Sequence, residues 1–393
     1  MCGCDELPRR HWFDTGAGNG EKRRVIRSYH NPVSIRFGFG AIEQLPDALA
    51  GRRAVLVTFA EAGGLGLIAR VRALLGDALL GIEDGVAPNP DVDELVVMYE
   101  RFWRDYAGCE AVVAVGGGSA IDTAKALIVG TASGRFEELV AHLSAGRTFR
   151  PHRARSLIAV PTTAGTGSEV TPWATIWDRA AGRKHSLQLA ETWPEAAIVD
   201  PGLMMTLPAD VTLQSGLDAL SHALESIWNV NANAVSDTLA GAAAREVMQT
   251  LPALMARPAD GALRERMALA ALKAGLAFSN TRTALAHSIS YDMTLRYGLP
   301  HGIACSFTLP MVLGRAIGVD AARDEVLAGV FDGGLADAPR RLRAFLEGLG
   351  VRTRFADYGV GETDALAIIR DALDGVRGRN FIGAFAADNG AIA

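Results

Sequence analysis

Three histidines and one aspartate offer the first chemistry. GLDALSHALE (216–225) places Asp218 and His222 four residues apart. On a helix that spacing stacks both side chains on one face, one turn apart. A carboxylate and an imidazole so placed can share a divalent cation. For an isolated pair, a plain hydrogen bond is the simpler reading. His287 lies in the apolar stretch TALAHSISY, and His301 follows Pro300 at an expected helix start, LPHGIACSF. A histidine in an Ala-rich helix is usually a core residue. Four such groups, all in the helical half and otherwise unexplained, tip the balance towards a metal site. One Asp and three His make a borderline ligand set that suits Fe(II) or Zn(II) and does not choose between them. The other histidines, His11, His30, His142, His152 and His185, have polar surroundings and are assigned no role.

Two glycine-bearing segments suit a phosphate. AVVAVGGGSAIDTAKAL (111–127) reads as strand, turn and helix. Gly116, Gly117 and Gly118 let an anion approach the main chain, and the following helix N-terminus has free N–H groups, with Ser119 expected to cap it. Neither GxGxxG nor GxxxxGK[ST] is present, and three glycines after a strand also make a simple tight turn. AVPTTAGTGSEVTPWATIWD (159–178) again leaves an apolar strand. Its Thr162, Thr163, Thr166, Ser168 and Thr171 surround Gly165 and Gly167. Two such loops after parallel strands point to one crevice at the sheet's carboxyl edge, where α/β folds bind ligands.

The positioning elements follow from hydrophobic periodicity. AVLVT (54–58), ALLGI (78–82), AVVAV (111–115), SLIAV (156–160) and AAIV (196–199) are short apolar runs, as expected of strands covered on both faces. Helical patterns at 66–76 and 91–107, the second with Asp91 as N-cap, alternate with them. Strand and helix at this rhythm argue for a parallel sheet. After about Pro208 the pattern is helical almost throughout. The chain therefore divides into an extension over 1–30 expected to lack structure, an α/β domain over 31–207 and a helical domain over 208–393. Composition excludes other classes. Thirty-nine basic against 44 acidic residues give a net charge of −5 with no basic block, which argues against nucleic-acid binding. No apolar run approaches the roughly 18 residues of a membrane span. Four cysteines are too few for a disulfide framework, and Cys109 and Cys305 sit in apolar text. The leader lacks an apolar signal core, so the expected location is the cytoplasm.

GGGSAIDTAK, PTTAGTGSEVT, GLDALSHALE and the His287–His301 pair ending in PHG resemble the iron-containing (group III) alcohol dehydrogenases over about residues 31–310. The resemblance implies a Rossmann-like N-terminal domain, an all-α C-terminal domain of the dehydroquinate synthase-like type, and an active site in the cleft between them. It places Asp218, His222, His287 and His301 on the metal ligands. Gly117, Gly118 and Ser119 fall on the diphosphate loop, with Asp122 and Lys125 in the next helix. Thr162, Thr163, Thr166 and Thr171 fall on the cofactor-contacting threonine loop, as do Asn89 and Lys184 on further cofactor contacts. The implied reaction is reduction of a small aldehyde to its alcohol, or the reverse, with NADPH or NADH and Fe(II), Zn(II) being the other metal considered. A homodimer is the implied assembly.

Two positions depart from the family pattern. Tyr291 stands where many members have a second histidine, and a phenol there can contact substrate or relay a proton with a different pKa. Phe59 stands where NAD-preferring members often carry Asp after the first strand, which permits NADPH. SNTRTALAHSISY and the 159–178 segment look more specifically like the phosphonoacetaldehyde reductases, which make 2-hydroxyethylphosphonate. A phosphonate needs cationic or hydroxyl partners. Trp173, Arg282 and Thr283 are the expected substrate contacts, with Lys184 a further cation. Arg282, five residues before His287, lies about 140° away on a continuous helix and faces the site only if the helix starts later, whereas Thr283 would share the His287 face. Competing readings are a maleylacetate reductase, which does not need the full ligand set, a dehydroquinate synthase-like lyase, and a nucleotide-binding sensor with a structural metal. The intact Asp–His–His–His set and the absence of an evident Lys- and Arg-rich pocket in 208–310 weigh against them.

Overall fold

A computed structural model describes residues 26–332 and 334–385. The extension expected over 1–30, with Cys2 and Cys4, falls mostly outside them. Six parallel strands form one sheet, in the order Ser34–Phe37, Ala196–Val199, Ser156–Pro161, Ala111–Gly116, Ala54–Phe59 and Leu79–Val86. The wholly apolar runs are explained by burial on both faces. Alternate residues serve different cores. Val112 and Ala114 pack with Leu95, Phe102 and Ile121 on one side. Val113 and Val115 pack with Leu45, Val71 and Leu75 on the other. The helix Val92–Asp105 starts where expected, with Asp91 accepting from the Asp93 N–H at 3.2 Å.

The two central strands fix the ligand edge. Ala111–Gly116 and Ser156–Pro161 pair in register from Ala111↔Ser156 to Gly116↔Pro161. Their C-terminal loops therefore leave the sheet side by side. Gly117 and Thr162, the next residues of each chain segment, begin those loops.

Helices Ala209–Ile227, Ala234–Ala256, Gly261–Thr281, Leu285–Tyr297 and His301–Ser306 open the helical half. They share one core, with Leu217, Leu220, Leu224 and Ile227 along a single face. Small residues bring these helices close. A Cβ on Gly302 would lie 2.0 Å from the Gln214 carbonyl oxygen, so the short His301 helix rests directly on the Asp218 helix.

Three local expectations are corrected. The strand expected over 78–82 runs to Val86. The helix after the glycine turn starts at Gly118, so Ser119 sits in its first turn and does not cap it. The Ser119 hydroxyl accepts from the Asn89 N–H at 3.0 Å instead. Residues 173–178, read as loop, form a strand paired antiparallel with Arg183–Gln188.

Candidate active site

Four side chains from three helices meet at one point. Asp218 and His222 come from one face of helix Ala209–Ile227, His287 from the first turn of helix Leu285–Tyr297, and His301 opens the next helix. Asp218 Oδ1 lies 3.3 Å from His287 Nε2 and 3.7 Å from both His222 Nε2 and His301 Nε2. Asp218, His222 and His287 are buried, and His301 is partly open to the cleft.

The protonation pattern suits a cation. Glu225, one turn beyond His222, accepts from His287 Nδ1 at 2.7 Å and from the Ala284, Ala286 and His287 backbone N–H groups. Nδ1 is therefore committed to Glu225, and Nε2 is turned towards Asp218. That buried Nε2 has no hydrogen-bond partner. Burial pushes His222 down to about 4 and His301 down to about 3, against the pull of Asp218. Burial tends to raise the Asp218 carboxyl, but the three imidazoles overcome it and hold the group well below the usual carboxylate range. His287 moves the other way, because Glu225 and Asp218 outweigh its burial. Imidazole lone pairs around one carboxylate oxygen repel unless a positive charge lies between them. Three imidazole nitrogens and a carboxylate oxygen turned to one another in this way fit a divalent metal, which would displace any proton on Nε2 of His287. Cys305 also lies close, its sulfur in a group with Asp218, His287 and His301 whose donor atoms are all within 4.8 Å of one another. Burial keeps its thiol protonated, and it faces Asp218 Oδ1 at 3.5 Å as a donor.

An aromatic column supports the cluster. Trp173, Phe278, His222 and His287 stack in turn, with ring centroids 5.8, 4.0 and 4.6 Å apart. Trp173 thus reaches the site through Phe278.

The Asp–His cluster opens into a cleft of about 1580 Å³ that the sheet edge also lines. Gly117, Gly118, Ser119, Asn89 and Asp122 border it from the glycine loop side. Thr162, Thr163, Thr166 and Thr171 border it from the threonine loop, and Lys184 from the hairpin. The loops touch: a Cβ on Gly118 would sit 2.7 Å from Thr166 Cγ2. A buried clamp ties them together. Lys125 Nζ donates to the Ser168 carbonyl and hydroxyl and to the Trp173 carbonyl, each at 2.7 Å. Burial lowers this ammonium to about 8, opposed by Asp122 and Glu169. Asp122 accepts from Ser168 Oγ at 2.6 Å and from the Thr175 N–H at 2.8 Å, so its carboxylate organises the loop rather than facing the cleft alone.

The expected substrate contacts line the same cleft, with altered geometry. Helix Leu285–Tyr297 begins after Arg282 and Thr283, so Thr283 does not share a helical face with His287. The later start brings Arg282 to the cleft wall. The Thr283 hydroxyl accepts from Arg377 Nε at 3.0 Å. Phe59 and Glu61 both border the cleft. Arg377 and Asn380, from the C-terminal region, line the site and were not anticipated. Glu225 and Phe278 were also missed. Glu225 closes the quoted motif, one turn after His222 on the helix that carries Asp218, and that spacing was the signal.

A parallel sheet with phosphate-ready loops, facing helices that converge on a cation-ready cluster, has the architecture of a dinucleotide-linked metalloenzyme. Residues 32–201 match the family described as iron-containing alcohol dehydrogenase, and 212–388 match the C-terminal domain of the same family. The NAD-dependent methanol dehydrogenase of Bacillus methanolicus is 32% identical over 88% of this chain and 92% of its own length. Lactaldehyde reductase of Escherichia coli is 30% identical over 86% and 91%. The crystal structure of sulfoacetaldehyde reductase from Bifidobacterium kashiwanohense superposes with a TM-score of 0.82 at 30% identity, covering 91% of this chain and 94% of that one. The chain belongs to the iron-containing alcohol dehydrogenase family and is a nicotinamide-linked oxidoreductase acting on CH–OH groups. Among the described residues no helix is long and apolar enough to cross a membrane.

Proposed function

We propose that this protein reduces a small aldehyde to its alcohol, using NADPH or NADH, at a divalent metal held by Asp218, His222, His287 and His301. The convergence of three imidazoles on Asp218, within the cleft lined by both phosphate-ready loops, carries the reading. Fe(II) is the metal the family favours, and the donor set also accepts Zn(II). When bound, the metal would supply Lewis acidity to the aldehyde oxygen and the nicotinamide a hydride to its carbon. The balance is aldehyde plus NAD(P)H plus one proton, giving alcohol plus NAD(P)⁺.

This chain's own residues do the positioning. Glu225 fixes the His287 tautomer and ring plane. Free N–H groups at the Gly118 helix start, with Gly117, Ser119 and the Thr162, Thr163, Thr166 and Thr171 loop, would hold the diphosphate and nicotinamide end. Asn89 completes that side, while Lys184, for which the resemblance implies a cofactor contact, has its Nζ 4.1 Å from the Tyr291 ring centroid. Burial pushes the Tyr291 phenol up to about 12, so it remains a donor across the neutral range, able to hydrogen-bond the substrate or pass on a proton. Trp173, Arg282 and Thr283 would border the substrate. Phosphonoacetaldehyde is the particular substrate we favour, on the resemblance of the 159–178 and 279–291 segments. The sulfoacetaldehyde reductase likeness supports an anionic two-carbon aldehyde. A cytoplasmic homodimer is the setting implied by the resemblance and the cysteine usage.

The test is NADH and NADPH oxidation against an aldehyde panel that includes phosphonoacetaldehyde, before and after chelation. Turnover lost on chelation and restored by Fe(II) or Zn(II) is expected. Turnover of maleylacetate by metal-free protein would replace this reading with the reductase of carbon–carbon double bonds.

A further inference from the structure

Tyr291 carries two cations against its ring. Lys184 Nζ lies 4.1 Å and Arg377 Cζ 4.9 Å from the ring centroid. Among the described residues neither is ion-paired, although charged side chains elsewhere on the chain pair freely. Among the described residues Arg377 donates once from its side chain, from Nε to Thr283, out of five N–H donors. Lys184 makes no side-chain hydrogen bond among the described residues. Burial and then the neighbouring Arg377 push its ammonium down to about 7. Unpaired cations held together in a desolvated cleft repel each other and want an anion.

A third cationic residue, the exposed Arg282, borders the same cleft. Arg282 adopts φ 69°, ψ 173°, a conformation reserved almost wholly for glycine. Asn229 Nδ2 donates to its carbonyl at 3.1 Å, and its own N–H donates to Phe278 O at 2.8 Å. The surrounding structure thus imposes a strained backbone on Arg282, an exposed residue of the cleft wall. Arg282 has no ion pair among the described residues either.

We propose that Arg377, with Lys184 and Arg282, forms a subsite for the charged end of the substrate, making the substrate class a small aldehyde that ends in a tetrahedral oxyanion. The inference rests on the aldehyde-reductase reading and assigns Arg377 as its specificity-determining residue. The three cations come from separate elements: the hairpin strand, the turn after helix Glu362–Asp374, and the junction before Leu285. Lys184 and Arg377 beside one ring, with Arg282 on the wall of the same cleft, offer enough donors for the three oxygens of a phosphonate or sulfonate. Tyr291 follows His287 by four residues, about 6 Å along the helix axis, so the spacer between anion and carbonyl is short.

The experiment compares metal-loaded wild type, Arg377→Met and Arg377→Lys on phosphonoacetaldehyde, sulfoacetaldehyde and propionaldehyde. The ratio of kcat/KM for the better anionic aldehyde over propionaldehyde is expected to fall roughly 30- to 100-fold in R377M, mainly through KM, with R377K between. The relative turnover of the two anionic aldehydes distinguishes phosphonate from sulfonate. An unchanged ratio overturns the proposal, as does a rise in KM confined to NAD(P)H, which would assign Arg377 to the cofactor. Calorimetry of 2-hydroxyethylphosphonate or 2-hydroxyethylsulfonate on the cofactor-loaded protein decides the subsite without turnover. Weaker binding to R377M supports it and equal binding overturns it. Should wild type reduce no aldehyde, the reductase reading fails while the binding result still stands.

Discussion

Asp218→Asn is expected to strip the protein of its metal and lower kcat/KM by roughly 10³-fold or more. Asn keeps the shape of the side chain but removes the one negative charge to which all three imidazoles point. Several kcal/mol of transition-state stabilisation depend on the cation it holds, and each ~1.4 kcal/mol is a factor of about ten in rate. Glu225→Gln provides the contrast. It leaves all four donors in place but weakens the carboxylate that orients His287 and receives three backbone N–H groups. Metal affinity should fall by about 10- to 100-fold, and excess metal should rescue turnover. Metal content by mass spectrometry, with activity at rising Fe(II), separates the two. An Asp218→Asn protein with a full metal complement and wild-type turnover would contradict the ligand assignment.

Gly302→Ala is expected to be the costliest single methyl in the site. The added Cβ would lie 2.0 Å from a main-chain oxygen, Gln214 O, which cannot swing aside as a side chain would. The His301 helix must then lift from the Asp218 helix. Overpacking of this kind costs about 1–3 kcal/mol, and a clash with backbone belongs at the upper end. Displacing that helix also withdraws His301 Nε2 from its 3.7 Å approach to Asp218. Stability and metal affinity should therefore fall together, read from thermal unfolding with and without Zn(II). A variant that unfolds at the wild-type temperature and retains metal would show that the two helices do not rest on each other as described.

What the sequence disclosed depended on how local its cause was. Val112 to Val115 were legible as strand because burial on both faces demands an unbroken apolar run. Asp218 and His222 were legible because helical spacing alone puts them on one face. The strand Trp173–Asp178 was hidden, since its alternation was overshadowed by the Thr- and Gly-rich text that leads into it. Ser119 was misread as a cap because a shift of one residue in the helix start removes that role. The placement of Arg282 turned on where the next helix begins, which no local signal marked. Arg377 and Asn380 lie in a C-terminal stretch with no distinctive motif. Only the tertiary return of that stretch to Thr283, through Arg377 Nε and Asn380 Nδ2, brings them to the cleft.

The central claim is spatial: one cation among Asp218, His222, His287 and His301, facing a nicotinamide held by the two sheet-edge loops. The most direct measurement is anomalous diffraction at the zinc edge from crystals grown with Zn(II) and NADPH or NADH. The account predicts one strong peak per chain bounded by those four side chains, with the nicotinamide ring opening onto it and the diphosphate over Gly117 and Gly118. A peak elsewhere, or a dinucleotide bound away from that peak, would contradict it.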